Sequence, residues 1–125
     1  MPQSGSGISL ATGNTDFSGA SQTGFVELRP AATNGTVITQ IKGVAKGTTT
    51  AGWVNVFLRD NAGSPNYRYW GSIQVSAVGT VDDTHAPWSG YLNPPQPIEL
   101  PPGWSCFVVA YKSEGFNVFD SHFDL

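Results

Sequence analysis

Charge is what this chain has least of. Asp, Glu, Lys and Arg make up 12% of its 125 residues, about half of the roughly 25% usual for soluble domains. The net charge of −3 leaves no basic field to gather nucleic acid or an anionic membrane. Cys106 is the only cysteine, which excludes an internal disulfide framework. No apolar run reaches the roughly 18 residues of a membrane-spanning helix. The N-terminus has neither the basic start nor the apolar centre of a signal peptide, so nothing marks the chain for secretion. No window keeps the 3.6-residue spacing of an amphipathic helix.

Patterns that carry chemistry are equally scarce. His85 and His122 lie in different segments with no ligand spacing around them, so a zinc site is not expected, and each reads as a turn or surface residue. Asp82 and Asp83 are adjacent and would point apart in an extended segment. A glycosidase needs two carboxyls converging across a cleft, and the spacing of Glu27, Glu99 and Glu114 does not indicate this. There is no Gly-x-Ser-x-Gly elbow. Cys106 lies in the apolar run Trp104-Ser105-Cys106-Phe107-Val108-Val109-Ala110-Tyr111, where a thiol serves as a small hydrophobe rather than a nucleophile. The expectation is a protein that is not an enzyme and takes no metal or cofactor.

What the chain has in quantity is turn formers and aromatics. There are 15 Gly and 9 Pro, with 12% Phe, Trp and Tyr. Strand-like runs are predicted over 24–29, 36–46, 53–60, 67–76, 88–92, 104–111 and 115–124. They are punctuated by Pro30, by 60–65 and by Leu100-Pro101-Pro102-Gly103. Asn34-Gly35-Thr36 matches a glycosylation sequon, but Asn-Gly reads better as a turn. Pro94, Pro95 and Pro97 exclude a central strand there. In 36–46, Val37 and Ile41 are placed opposite Ile38 and Val44. In the last run, Phe116 and Val118 oppose Phe119 and Phe123. Seven or eight short strands at this spacing predict an all-β fold, an antiparallel β-sandwich of jelly-roll type. At 125 residues this is one domain with a single core.

Residues 1–23 are set apart from the domain at 24–125. They are almost all small or polar, with Ile8, Leu10 and Phe17 as their sizeable apolar groups. Such a segment cannot bury enough surface to offset its ordering entropy alone. It reads either as a disordered tail or as an extended N-terminal arm that orders against neighbouring subunits.

The run 53–60 has two faces. Val54, Val56 and Leu58 share one, which reads as core; Trp53, Asn55, Phe57 and Arg59 share the other, which reads as a contact surface. Trp53, Tyr67, Tyr69, Trp70, Trp88 and Tyr91 fall within forty residues. Aromatics of this kind anchor subunit interfaces or form platforms for sugar rings.

The segment Gly47-Thr48-Thr49-Thr50-Ala51-Gly52 entering a strand that ends at Asp60 resembles a family of small proteins encoded among the virion genes of tailed bacteriophages. Leu100-Pro101-Pro102-Gly103-Trp104 and Gly115-Phe116-Asn117-Val118 extend the resemblance. It covers roughly 36–124 and leaves the arm unmatched. It implies a structural protein of the virion, a capsid decoration or cement protein made in the host cytoplasm and bound to the outer capsid surface. The implied partners are the major capsid protein and two further copies of the chain in a homotrimer. The expected interface residues are Ile8, Leu10, Phe17, Trp53, Phe57, Tyr69, Trp70 and Trp88. The alternative is a carbohydrate-binding head-fibre or tail-fibre module that adheres to host glycans.

Overall fold

The computed structural model describes residues 3–4, 7–60, 66–92 and 97–125, the first pair by backbone alone. The turn expected over 61–65 and the prolines Pro94 and Pro95 lie outside the described residues. Ten strands form among the described residues, in chain order: β1 (Gln3–Ser4), β2 (Ile8–Leu10), β3 (Val26–Arg29), β4 (Thr36–Ala45), β5 (Gly52–Arg59), β6 (Tyr67–Val75), β7 (Ser89–Leu92), β8 (Ile98–Leu100), β9 (Ser105–Ala110) and β10 (Phe116–Asp124). Two antiparallel sheets pack face to face as a β-sandwich. In the six-stranded sheet, β1 and β2 share one side of β10, β10 pairs with β4, and β7 and β8 share the far side of β4. The four-stranded sheet runs β3-β9-β5-β6.

Alternation explains most of the core. Val54, Val56 and Leu58 on β5 meet Phe116 and Val118 on β10, Ile73 and Val75 on β6, and Cys106, Val108 and Ala110 on β9, in one hydrophobic cluster. β4 departs from the predicted faces. Ile38 and Ile41 are both fully buried, although strict alternation would place them on opposite sides. The register with β10 passes from Ile38↔His122 to Gln40↔Ser121. Thr39 is therefore an extra residue, and this β-bulge resets the phase. Its hydroxyl donates to the Ser121 carbonyl at 3.1 Å.

Gly35 turns the chain into β4 at φ +92°, a conformation that costs glycine nothing, with its N–H bonded to the Ala32 carbonyl at 3.3 Å. The Asn-Gly turn is thus where the sequence puts it. β8 was not anticipated. It starts after Pro97 and pairs only with β4, which makes it an edge strand of the kind proline permits.

The segment before β3 departs most from expectation. Residues 7–23 lie along their own domain instead of awaiting a neighbour. β2 pairs with β10, Gly13 bridges to Ala110, and the Asn14 N–H donates to the Ala110 carbonyl at 2.8 Å. Residues 12–25 then cross the face of the four-stranded sheet that is turned away from the core. The polar side chains of this strap satisfy one another. Asn14 Nδ2 donates to the carbonyls of Ser21 and Thr23, both at 3.0 Å. Asp16 accepts from the Ser18 N–H at 2.8 Å, the Ser18 hydroxyl at 2.6 Å and the Ser21 N–H at 2.9 Å. These bonds, with Ser18 first, hold the Asp16 carboxyl below its usual range.

Candidate functional site

The outward face of the four-stranded sheet is aromatic. Cross-strand register brings Phe57 opposite Tyr69 on one side and Phe107 on the other. Phe25 from the strap closes over Phe57 with ring centres 4.7 Å apart, and meets Tyr67 edge-on at 5.3 Å. Phe17 lies 5.3 Å from Tyr69 and 5.8 Å from Tyr111. The strap thereby buries Phe57, Asn55 and Val109 completely.

Phe57 therefore cannot serve as a subunit contact, and the exposed face expected for β5 is reduced chiefly to Trp53. Two other expected interface residues are also interior. Leu10 is fully buried in the core through the β2–β10 pairing. Trp88 stacks edge-on against Phe116 at 5.8 Å, in space left by two glycines. A Cβ on Gly90 would lie 2.6 Å from the Trp88 ring, and one on Gly43 3.2 Å from it. Ile8 is half-buried against the core.

Four of the expected residues do reach solvent: Phe17 at 39%, Trp53 at 39%, Tyr69 at 43% and Trp70 at 45%. Tyr69 is partly engaged, with its ring between Phe17 and Phe57 and its hydroxyl on Ser72, which donates to Asn55 Oδ1 at 2.6 Å. Trp70 is the extra residue where the β5–β6 register passes from Val56↔Gly71 to Phe57↔Tyr69. β6 is the edge of its sheet, and the bulge presents Trp70 there. Neither the Trp53 nor the Trp70 indole has a ring or hydrogen-bond partner among the described residues.

Beside Trp53 is an open cleft of about 310 Å³, lined chiefly by Ala51, Gly52, Trp53, Gln74, Tyr111 and Lys112. Gln74 faces Trp53 across the β5–β6 pair. The Tyr111 N–H donates to the Trp53 carbonyl at 2.9 Å. A Cβ on Gly52 would lie 3.8 Å from Lys112 Cγ and Cδ, so the lysine stem runs past this glycine. On the six-stranded sheet Phe119, Lys42 and Tyr91 form a cross-strand row in which Phe119 and Tyr91 are exposed and Lys42 is half-buried, with Lys42 Nζ 5.5 Å from the Tyr91 ring centre.

A second cluster lies inside the sandwich. His122 does not sit on the surface as its sequence context suggested; it and Asp120 are buried on the core face of β10. Asp120 Oδ2 lies 3.0 Å from Arg29 Nε and 3.1 Å from His122 Nδ1, within ion-pair reach though not aligned as hydrogen bonds. Arg29 Nη1 is 3.2 Å from His122 Nε2, which fits a neutral imidazole accepting there and protonated at Nδ1. Burial raises the Asp120 carboxyl above its usual value, while Arg29 and then His122 oppose the rise. Cys106 stands opposite Arg29 across the β3–β9 pair. Burial first, then the Asp120 charge, pushes its thiol far up and leaves it inert. The signal for this cluster was present: Phe116, Val118, Asp120 and His122 are successive alternate residues of one strand, so the apolar pair points the polar pair inward too.

Three other titratable groups, His85, Asp82 and Glu114, are held in local structure. His85 Nδ1 is 2.8 Å from Asp82 Oδ1 within one turn, and Glu114 accepts from the N–H and hydroxyl of Thr50 at 2.8 and 3.0 Å. Among the described residues no three His, Cys, Asp or Glu side chains are grouped to hold a metal. No family model and no curated protein matches the chain.

Proposed function

We propose that this chain is a structural, non-enzymatic protein of a tailed-phage particle, a decoration or cement protein that trimerises and binds the outer surface of the capsid. The observation that carries the reading is Trp70, an exposed indole with no ring or hydrogen-bond partner among the described residues, at a bulge on the edge strand of the four-stranded sheet. Large aromatics with unused surface are the residues that dominate subunit contacts, and an unpaired strand edge is a template for another chain. Tyr69 and Phe17 extend the apolar surface beside it. The resemblance of 47–60, 100–104 and 115–118 to virion proteins supports the same assignment. The partner is the major capsid protein. Three modest contacts carried by one rigid trimer act at high local concentration, and they resist separation of neighbouring capsid subunits.

Sedimentation equilibrium and co-sedimentation with expanded, DNA-free shells of the major capsid protein from the same genome test this reading. A trimer that pellets with the shells, and a Trp70→Ala variant that does neither while keeping its circular dichroism, is the expected result. A monomer that stays in the supernatant ends it.

A further inference from the structure

We infer that the cleft beside Trp53 is a binding site for a carboxylate-bearing saccharide. The inference stands on the cleft alone and not on the capsid assignment. The cleft volume of about 310 Å³ is at the small end of the roughly 300–1,000 Å³ of ligand pockets, a size suited to one or two sugar rings. Its opening at the surface leaves a path for a chain to continue on either side.

The lining has the composition a pyranose requires. A sugar ring presents a face of C–H groups and a rim of hydroxyls. The 39% exposed Trp53 supplies a flat, polarizable surface for the first. Gln74 can donate to and accept from the second. Among the described residues the side chains of Trp53, Gln74, Tyr111 and Lys112 make no hydrogen bond to the protein, so a ligand would displace only water from them.

Lys112 sets the class of sugar. It has no ion pair among the described residues, and the nearby carboxylate of Glu114 is already occupied by Thr50. Its ammonium is therefore without a carboxylate partner among the described residues. Its stem passes Gly52, and Lys112 lines the same cleft as Trp53. A carboxylate on the sugar gives that ammonium a partner that a neutral sugar lacks.

The probes are a tetrasaccharide alternating glucuronate and N-acetylglucosamine, and chitotetraose as its neutral counterpart. Both are titrated into the ¹⁵N-labelled chain while the indole N–H resonances and amide shifts are followed. The expected result is saturable movement of the Trp53 indole and the Gly52, Gln74 and Lys112 amides with the acidic sugar. Trp53→Ala weakens binding by about tenfold or more, and Lys112→Gln removes most of the preference for the acidic over the neutral probe. Absence of movement with both probes, equal affinity for the two, or binding untouched by Trp53→Ala overturns the site. The wild-type spectra decide the first two outcomes even if a variant fails to fold. Saccharide binding by a monomeric protein supports this site while ending the capsid reading, and a trimer that ignores both sugars ends this site alone.

Discussion

Asp120 shows how one side chain can make stability depend on pH. It lies in the sandwich interior with Arg29 from β3, His122 from its own strand and Cys106 from β9 around it. Burial places its folded-state pKa above the ordinary 3.8. A carboxyl raised in this way contributes its full stability below its unfolded pKa, and that contribution is lost as pH rises through the folded value. Arg29 limits the loss by pairing the charge that forms. Arg29→Met removes the partner and leaves a buried carboxylate uncompensated. A cost of about 3 kcal/mol near neutral pH is expected, at the low end for a broken buried pair because the Arg29 side chain is 22% exposed. Urea unfolding should show the deficit smallest at the acid end of the folded range, where protonation of Asp120 removes the charge that Arg29 pairs, and largest at pH 7. An equal deficit at the two pH values would mean that Arg29 acts by packing alone.

The strap is the element on which the exposed surface depends. Its own composition offers little burial, so its order comes from Phe17 and Phe25 meeting an aromatic sheet. Full burial of Phe57 alone is worth about 1.5–3 kcal/mol. Gly19 is where the strap passes closest to β6. It has φ +82°, and a Cβ there would lie 2.2 Å from the Tyr67 carbonyl oxygen. Gly19→Ala therefore meets backbone strain and a backbone clash together, at a cost of about 2 kcal/mol or more. Hydrogen exchange should quicken through 12–24 while β5 and β9 stay protected. Loss of protection throughout both sheets would instead make the strap part of the cooperative core.

For the molecule as a whole, scarcity of charge governs how copies can meet. With 12% charged residues, few like charges oppose association, and Trp70 stands exposed with Tyr69, while the exposed Arg68 is paired with Asp60. Association driven by burial of such surface is nearly insensitive to salt, unlike contacts between exposed ions. Sedimentation of the wild type should therefore differ little between about 50 mM and 500 mM salt. In the proposed trimer, binding of copies would stabilise the folded state by mass action, so Tm is expected to rise with protein concentration. Trp70→Ala should abolish that rise without lowering Tm at high dilution. A wild-type Tm independent of concentration would show that the fold is complete in one chain.

Alternation and turn chemistry made the two-sheet architecture legible from the sequence. Period-two runs ending at Gly, Pro and Asn locate seven of the strands within a residue or two, including the core faces of β5 and β10. Those signals are local, since the direction of a side chain along a strand follows from its neighbours. Exposure is not local. Trp53 and Phe57 occupy the same face of β5, yet one is open and the other sealed, because a segment some forty residues earlier in the chain crosses over Phe57. The Thr39 bulge turned Ile38 and Ile41 to the same side, and the distant Gly43, with Gly90 two residues along, opened the space that Trp88 fills. The sequence by itself determined the strands and most of their inward faces. Only the tertiary structure decided which aromatics remain outside, because that depends on what lies over them and not on the strand that carries them.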